Sequence, residues 1–140
     1  MPFNNTISEA ALRYVGTKFL HRGRTTRGID CVGLVILAVR DCGFVKELNY
    51  VYGREPRAGM LQAILTEHLG KPLNRAVEIN DIVVMALSGG QPSHVGIITK
   101  HPSGLGIVHA YGEVGRVVHQ RLDDRRRKQI TGVYTWQEKY

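Results

Sequence analysis

Cysteine is scarce in this sequence: two residues in 140, too few for a disulfide framework. If residues 31 to 42 form one helix, Cys31 and Cys42 lie roughly 16 Å apart along it. Bridged Cα atoms lie within about 7 Å, so the two do not pair. No apolar run approaches the roughly 18 to 20 residues that span a bilayer, so no membrane insertion is expected. The opening "MPFNNTISEA" lacks the basic start and apolar stretch of a secretory signal. The expectation is a protein made in the cytoplasm, reaching any outside target by another route. Repeats, low-complexity tracts and linkers are also missing, which predicts a single domain over 1–140. Few aromatics interleave with the basic residues and no nucleic-acid-binding motif is visible, so no nucleic-acid partner is expected.

Glycine and positive charge, by contrast, are plentiful: 16 glycines and a formal net charge of +7. Much of that charge sits in "RLDDRRRKQ", residues 121 to 129. Two readings stand, a solvated face or turn, or attraction to a polyanion such as an anionic cell envelope.

"TISEAALRYVG" opens a helix, with Thr6 as N-cap and Glu9 completing a capping box. Ile7, Ala11, Tyr14 and Val15 fall on one face, and Gly16 stops it. "KFLHRGRTTRG" reads as a glycine-bearing loop. A second helix is predicted over 31–42, capped by Asp30 and stopped by Gly43. Val32 to Val39 are apolar nearly all round, which also suits a buried strand. A third helix spans 60–69, with Leu61, Ile64, Leu65, His68 and Leu69 on one face and Gly70 at its end. After Pro72 come five short β-rich segments, "DIVVMAL", "HVGIITK", "LGIVHAY", "GRVVHQRL" and "ITGVYTW". Helices followed by a run of strands predict an α+β domain with an antiparallel sheet.

Cys31 stands at the front edge of its apolar run. At the first turn of a helix a thiolate meets unpaired N–H groups and the positive end of the helix dipole. Both lower a thiol's pKa, and the same N–H groups can stabilise an oxyanion. The plain alternative is a packing cysteine. Cys42 reads as a buried spacer near the helix end.

A nucleophilic cysteine needs a base. Of the six histidines, His68 reads as a core residue, His101 as a turn residue and His119 as a surface residue, while His21 lies in the loop before Cys31 with its role open. His94 and His109 lie on successive strands. A loop over 101–104 pairs Lys100 with Leu105, so paired numbers sum to 205 and Gly96 faces His109. His94 then shares a face with His109, on the diagonal, where side chains can meet. A two-residue loop gives the same sum, and an odd-length loop puts the two on opposite faces. One histidine as base and the other as its orienter would complete a nucleophile–base–orienter set. A zinc site built from Cys31, His94 and His109 is the alternative, although neither a fourth ligand nor a CxxC pair accompanies it.

These residues resemble a known family. "GIDCVGLV", "SHVGIIT" and "IVHAY", in that order and at those intervals, are similar to the three catalytic blocks of the NlpC-type cell-wall cysteine peptidases. "YVGTKFLHRG" before the cysteine and "DIVVMA" before the first histidine extend the likeness over about residues 7 to 136. The short, signal-less form resembles the branch carried by phage tails and gene transfer agents.

The resemblance implies a papain-like fold, with N-terminal helices, one carrying the nucleophile at its start, packed on an antiparallel sheet. It implies cofactor-free hydrolysis of peptidoglycan stem peptides, usually between γ-D-glutamate and a diamino acid. Cys31 matches the nucleophile, His94 the general base and later acid, and His109 the residue that holds His94 in its tautomer. The Cys31 N–H matches an oxyanion donor. Asp30 matches an aspartate that in relatives also helps recognise substrate. Phe19 stands where relatives often carry a tyrosine near the active site, and Val32 where they often carry serine. Both departures bear on substrate binding, and neither removes a triad member. The partners implied are stem peptides and other tail or baseplate proteins, with a virion or tail-tip location. The alternatives are a structural tail or baseplate adaptor that retains the fold, and an amidase or acyltransferase with the same triad.

Overall fold

Helix α1 begins where its capping box says it should. Thr6 accepts the Glu9 N–H, and the Glu9 carboxylate accepts the Thr6 N–H. The computed structural model describes residues 6–42, 60–87 and 92–135. In chain order these form α1 (Ile7–Leu12), β1 (Arg24–Thr25), β2 (Gly28–Ile29), α2 (Cys31–Asp41), α3 (Met60–Leu69), β3 (Asp81–Met85), β4 (His94–His101), β5 (Gly104–Tyr111), β6 (Arg116–Arg121), α4 (Asp124–Gln129) and β7 (Ile130–Thr135). Among the described residues no helix is long and apolar enough to cross a membrane.

Helix α1 ends at Leu12, four residues short of the glycine expected to stop it. The chain there is claimed by β6 instead. The Gly16 N–H donates to the Val117 carbonyl, and the Val117 N–H donates to the Thr17 carbonyl. Tyr14 is still buried, but Val15 is turned out to solvent. The segment expected to be plain loop contains the hairpin β1–β2, and Phe19 bridges to Ile29.

The apolar run after Asp30 is a helix, not a strand. Val32, Leu34, Val35, Leu37, Ala38 and Val39 are all buried, each contributing on the order of 1–3 kcal/mol of burial. Cys42 is the buried C-cap, and Gly43 lies outside the described residues. Helix α3 keeps its predicted bounds, with Leu65 buried and Leu69 packed on the core. The side chains of Leu61 and Ile64 are outside the described set, and His68 is half-buried rather than a core residue.

The five longer strands form one antiparallel sheet in the order β6-β5-β4-β3-β7. One face carries Ile82, Val84, Val95, Ile97 and Val108 against α1 and α2. The other carries Val83, Met85, Ile98, Ile107 and Val133 under a smaller cover that includes Val77 and Leu87. Period-two alternation thus splits each strand between two cores. The basic run forms α4, with no buried residue, capped by Asp123, which accepts the Arg126 N–H.

Candidate active site

Asp30 organises the segment around Cys31. One carboxylate oxygen caps α2 by accepting the Gly33 N–H at 2.7 Å; the other accepts the Arg22 N–H at 2.8 Å. Arg22 reaches this position with a positive φ of 63°. The side chain of Asp30 is buried, and the bonds tie loop and helix together. Gly33 is required for the same closeness: a Cβ there would collide with the Gly23 carbonyl.

Cys31 is half-buried at the first position of α2, and its thiol takes hydrogen bonds from backbone N–H groups, that of Val95 foremost. Val95 lies two residues past the end of the β4–β5 ladder, and it follows His94 in the chain. The expected lowering of the thiol pKa does not occur. Burial and then the nearby Asp30 charge push it up to about 12, and the N–H groups oppose this only in part.

The β4–β5 register carries the predicted sum of 205, with Lys100 opposite Leu105 and a two-residue connection beyond His101 and Gly104. His94 and His109 consequently meet. His94 Nε2 lies 2.7 Å from His109 Nδ1, and the rings are edge to face with centroids 4.9 Å apart. Gly96 makes room for this, since a Cβ there would press on Ile107 and approach the His109 Cβ. Both rings are buried. Burial, then the neighbouring His109 and Arg126, lowers the His94 pKa to about 3. Burial lowers that of His109 to about 4, with Gln120 opposing and Arg126 assisting. At neutral pH both are uncharged, so each has one N–H and one lone pair.

Three residues at this site were not found from sequence. His109 Nε2 contacts Gln120 Oε1 at 2.8 Å, Tyr111 stacks on His109 at 5.2 Å, and the Arg126 guanidinium lies 5.1 Å from the Tyr111 ring centre. The parity rule, carried one strand further, would have reached Gln120. Gln120 pairs with Ile107 and so shares the face of His109.

The structure thus joins His94 to His109 and sets the Cys31 thiol against the residue after His94. The side chains of Phe19 and Val32, the two departures from the family pattern, take no part in these hydrogen bonds. Phe19 is half-buried beside Gly112, and its N–H donates to the Gly115 carbonyl. Val32 is 5% exposed and faces the helix core, so a serine hydroxyl there would point inward. Among the described residues no group of three or more His, Cys, Asp or Glu is arranged to hold a metal ion.

No protein-family model matches the chain, and no curated protein matches it. Solved structures do. The NlpC/p60 domain of the peptidoglycan hydrolase SagA superimposes with a TM-score of 0.64 at 16% identity, over 94% of this chain and 97% of that one. A lipoprotein-like NLP/P60 family protein of Staphylococcus aureus gives 0.60 at 17% identity, over 93% of this chain and 40% of that one. An NlpC/P60 family protein of Bacillus cereus gives 0.62 at 14% identity, over 92% and 40%. The chain spans about two-fifths of the last two proteins. The fold is the papain-like α+β fold of these domains.

Proposed function

We propose that this chain is an NlpC-type cysteine peptidase that hydrolyses peptidoglycan stem peptides, at the bond between γ-D-glutamate and a diamino acid. The observation that carries the reading is the buried His94–His109 hydrogen bond together with the thiol at the start of α2, which is met by the backbone N–H of the residue after His94. Likeness to the NlpC/p60 domain of a protein named as a peptidoglycan hydrolase supports the substrate class.

In this reading the resting site holds a neutral thiol and a neutral imidazole. His94 takes the Cys31 proton as the sulfur attacks the substrate carbonyl, and the Cys31 N–H stabilises the resulting oxyanion. His94 then gives that proton to the leaving amine, and the amide C–N bond breaks to leave a thioester. Water, deprotonated by His94, hydrolyses the thioester and returns the thiol. His109 keeps His94 in register throughout. Asp30 supports recognition through the loop it clamps, because its own oxygens are engaged by Arg22 and Gly33. Phe19 supplies an apolar ring at the site's edge.

Purified peptidoglycan, followed by turbidity and by mass spectrometry of the muropeptides, tests this. Wild type should release fragments cut at the stem peptide, and Cys31→Ala should not. Equal clearance by both would remove Cys31 as nucleophile. Release of a different fragment set would point to the amidase or acyltransferase form.

One observation favours the adaptor reading: the raised thiol pKa leaves Cys31 unactivated at rest. An adaptor would leave peptidoglycan intact while binding tail or baseplate proteins. Carriage by a phage tail or gene transfer agent particle rests on the sequence resemblance. Immunogold labelling of purified particles tests it, with tail-tip label expected.

A further inference from the structure

We propose that Gln120 is a positioning residue whose side-chain oxygen fixes the tautomers of both histidines and leaves His94 Nδ1 free to act as base. The catalytic half of this rests on the peptidase reading above. The tautomer half stands on geometry alone.

Three groups form a chain: His94 Nε2 to His109 Nδ1 at 2.7 Å, and His109 Nε2 to Gln120 Oε1 at 2.8 Å. A neutral imidazole has one N–H, so each link needs one proton and the end group sets the direction. Gln120 presents its oxygen, which can only accept. The proton therefore sits on His109 Nε2, and His109 Nδ1 is a bare lone pair. That lone pair accepts the His94 Nε2–H, and His94 Nδ1 is left unprotonated. Were the amide NH₂ turned to His109, every link would reverse. His94 would then carry its proton on Nδ1 and could not take one from a thiol.

The choice of an amide over a carboxylate also follows. Arg126 lies over Tyr111, which stacks on His109, so a cation already disfavours charge on these rings. A carboxylate at 120 would favour a charged His109 with both nitrogens protonated. The Nδ1–H would then compete with the His94 Nε2–H. An amide oxygen sets the direction without adding that charge. Gln120 also borders a cleft lined by Arg121, Asp123, Arg125 and Arg126, which gives the rest of its amide a polar surrounding.

Nitrogen-15 NMR of the imidazoles in the whole chain decides the tautomers without any substrate. Wild type should show N–H at Nε2 of both His94 and His109. Gln120→Leu should scramble both, with kcat on peptidoglycan down about ten- to a hundredfold and KM changed less than about twofold. Gln120→Glu should restore the tautomers and activity at alkaline pH, with the acid limb of kcat/KM moved upward. A purely structural Gln120 would lower both variants alike with no movement of the limb. His109 protonated on Nδ1 in wild type would overturn the proposal, whatever the activity. The expected tautomers in a protein that leaves peptidoglycan intact would instead support the relay and sink the peptidase reading. Should Gln120→Leu fail to fold, the wild-type spectrum and Gln120→Glu still decide.

Discussion

The sheet carries two histidine groups, one built from β4, β5 and β6 and the other from β4 and β6. His94, His109 and Gln120 lie on one face, and the backbone N–H of the residue after His94 meets the Cys31 thiol. Thr99, His101 and His119 lie on the other, toward the β4–β5 turn. There Thr99 Oγ1 and His119 Nε2 are 2.8 Å apart, and the His101 and His119 rings are edge to face at 5.2 Å. Each group has a glycine opposite it, Gly96 in the first and Gly106 in the second. The groups differ in burial and in what ends them. In the first both histidines are buried and the chain ends on an amide acceptor, so its proton order is set. The second reaches solvent, and a hydroxyl that can donate or accept leaves its order free. In the proposed peptidase reading, the first group works as a catalytic pair because its direction is fixed and the residue after His94 meets the Cys31 thiol.

The largest expected effect separates the groups by activity. His94→Ala or Cys31→Ala should lower kcat/KM on peptidoglycan at least about a thousandfold, and His119→Ala should leave it within about twofold. A comparable loss in His119→Ala would erase the distinction. Next comes alkylation. With its thiol pushed up to about 12, Cys31 in the free protein should react slowly with iodoacetamide at pH 7. The rate should climb about tenfold per pH unit up to pH 10, with buried Cys42 unreactive. A pH-independent fast rate at pH 7 would mean an ion pair already present at rest.

The glycines give a smaller, structural contrast. A Cβ at Gly106 would sit 2.9 Å from the Gln120 backbone oxygen and 2.7 Å from Thr99 Oγ1, the first fixed in the sheet and the second hydrogen-bonded to His119. Gly106→Ala should therefore cost about 1–3 kcal/mol in urea unfolding. At Gly96 the nearest atom is the Ile107 Cδ1, at 2.7 Å, the end of a flexible chain. Gly96→Ala should cost less stability, yet lower kcat by displacing His109.

Smallest is the pH dependence of stability. His94 and His109 titrate in the folded protein near 3 and 4, below the ordinary histidine value of about 6.5. The unfolded chain therefore binds protons first as pH falls, and stability should decline from about pH 6.5 downward through those lower values. His94→Gln should flatten the decline in Tm. The downward shift of half-exposed His119, caused by burial and then His101, should contribute less.

Local chemistry was what the sequence made legible. The Thr6–Glu9 box, the Asp30 cap and the sum of 205 across β4 and β5 each follow from short-range rules, and the structure carries all three. The His94–His109 contact was readable for that reason. Long-range effects were not. Val15 left the helix face because β6 claimed Gly16 and Thr17. The Cys31 thiol moved opposite to the helix-end expectation because burial and Asp30 outweigh N–H groups. Gln120 carries no signal as a residue type, and only its strand position gives it one.

The Asp30 clamp has a kinetic consequence. The Gly33 and Arg22 amides are held by one carboxylate, across eleven residues of chain. Their hydrogens should exchange with solvent in a single opening event, at a shared rate. The turn bearing Cys31 is thereby coupled to the upstream loop through one side chain. The exchange rate at Arg22 would thus report how often the turn bearing Cys31 is out of place.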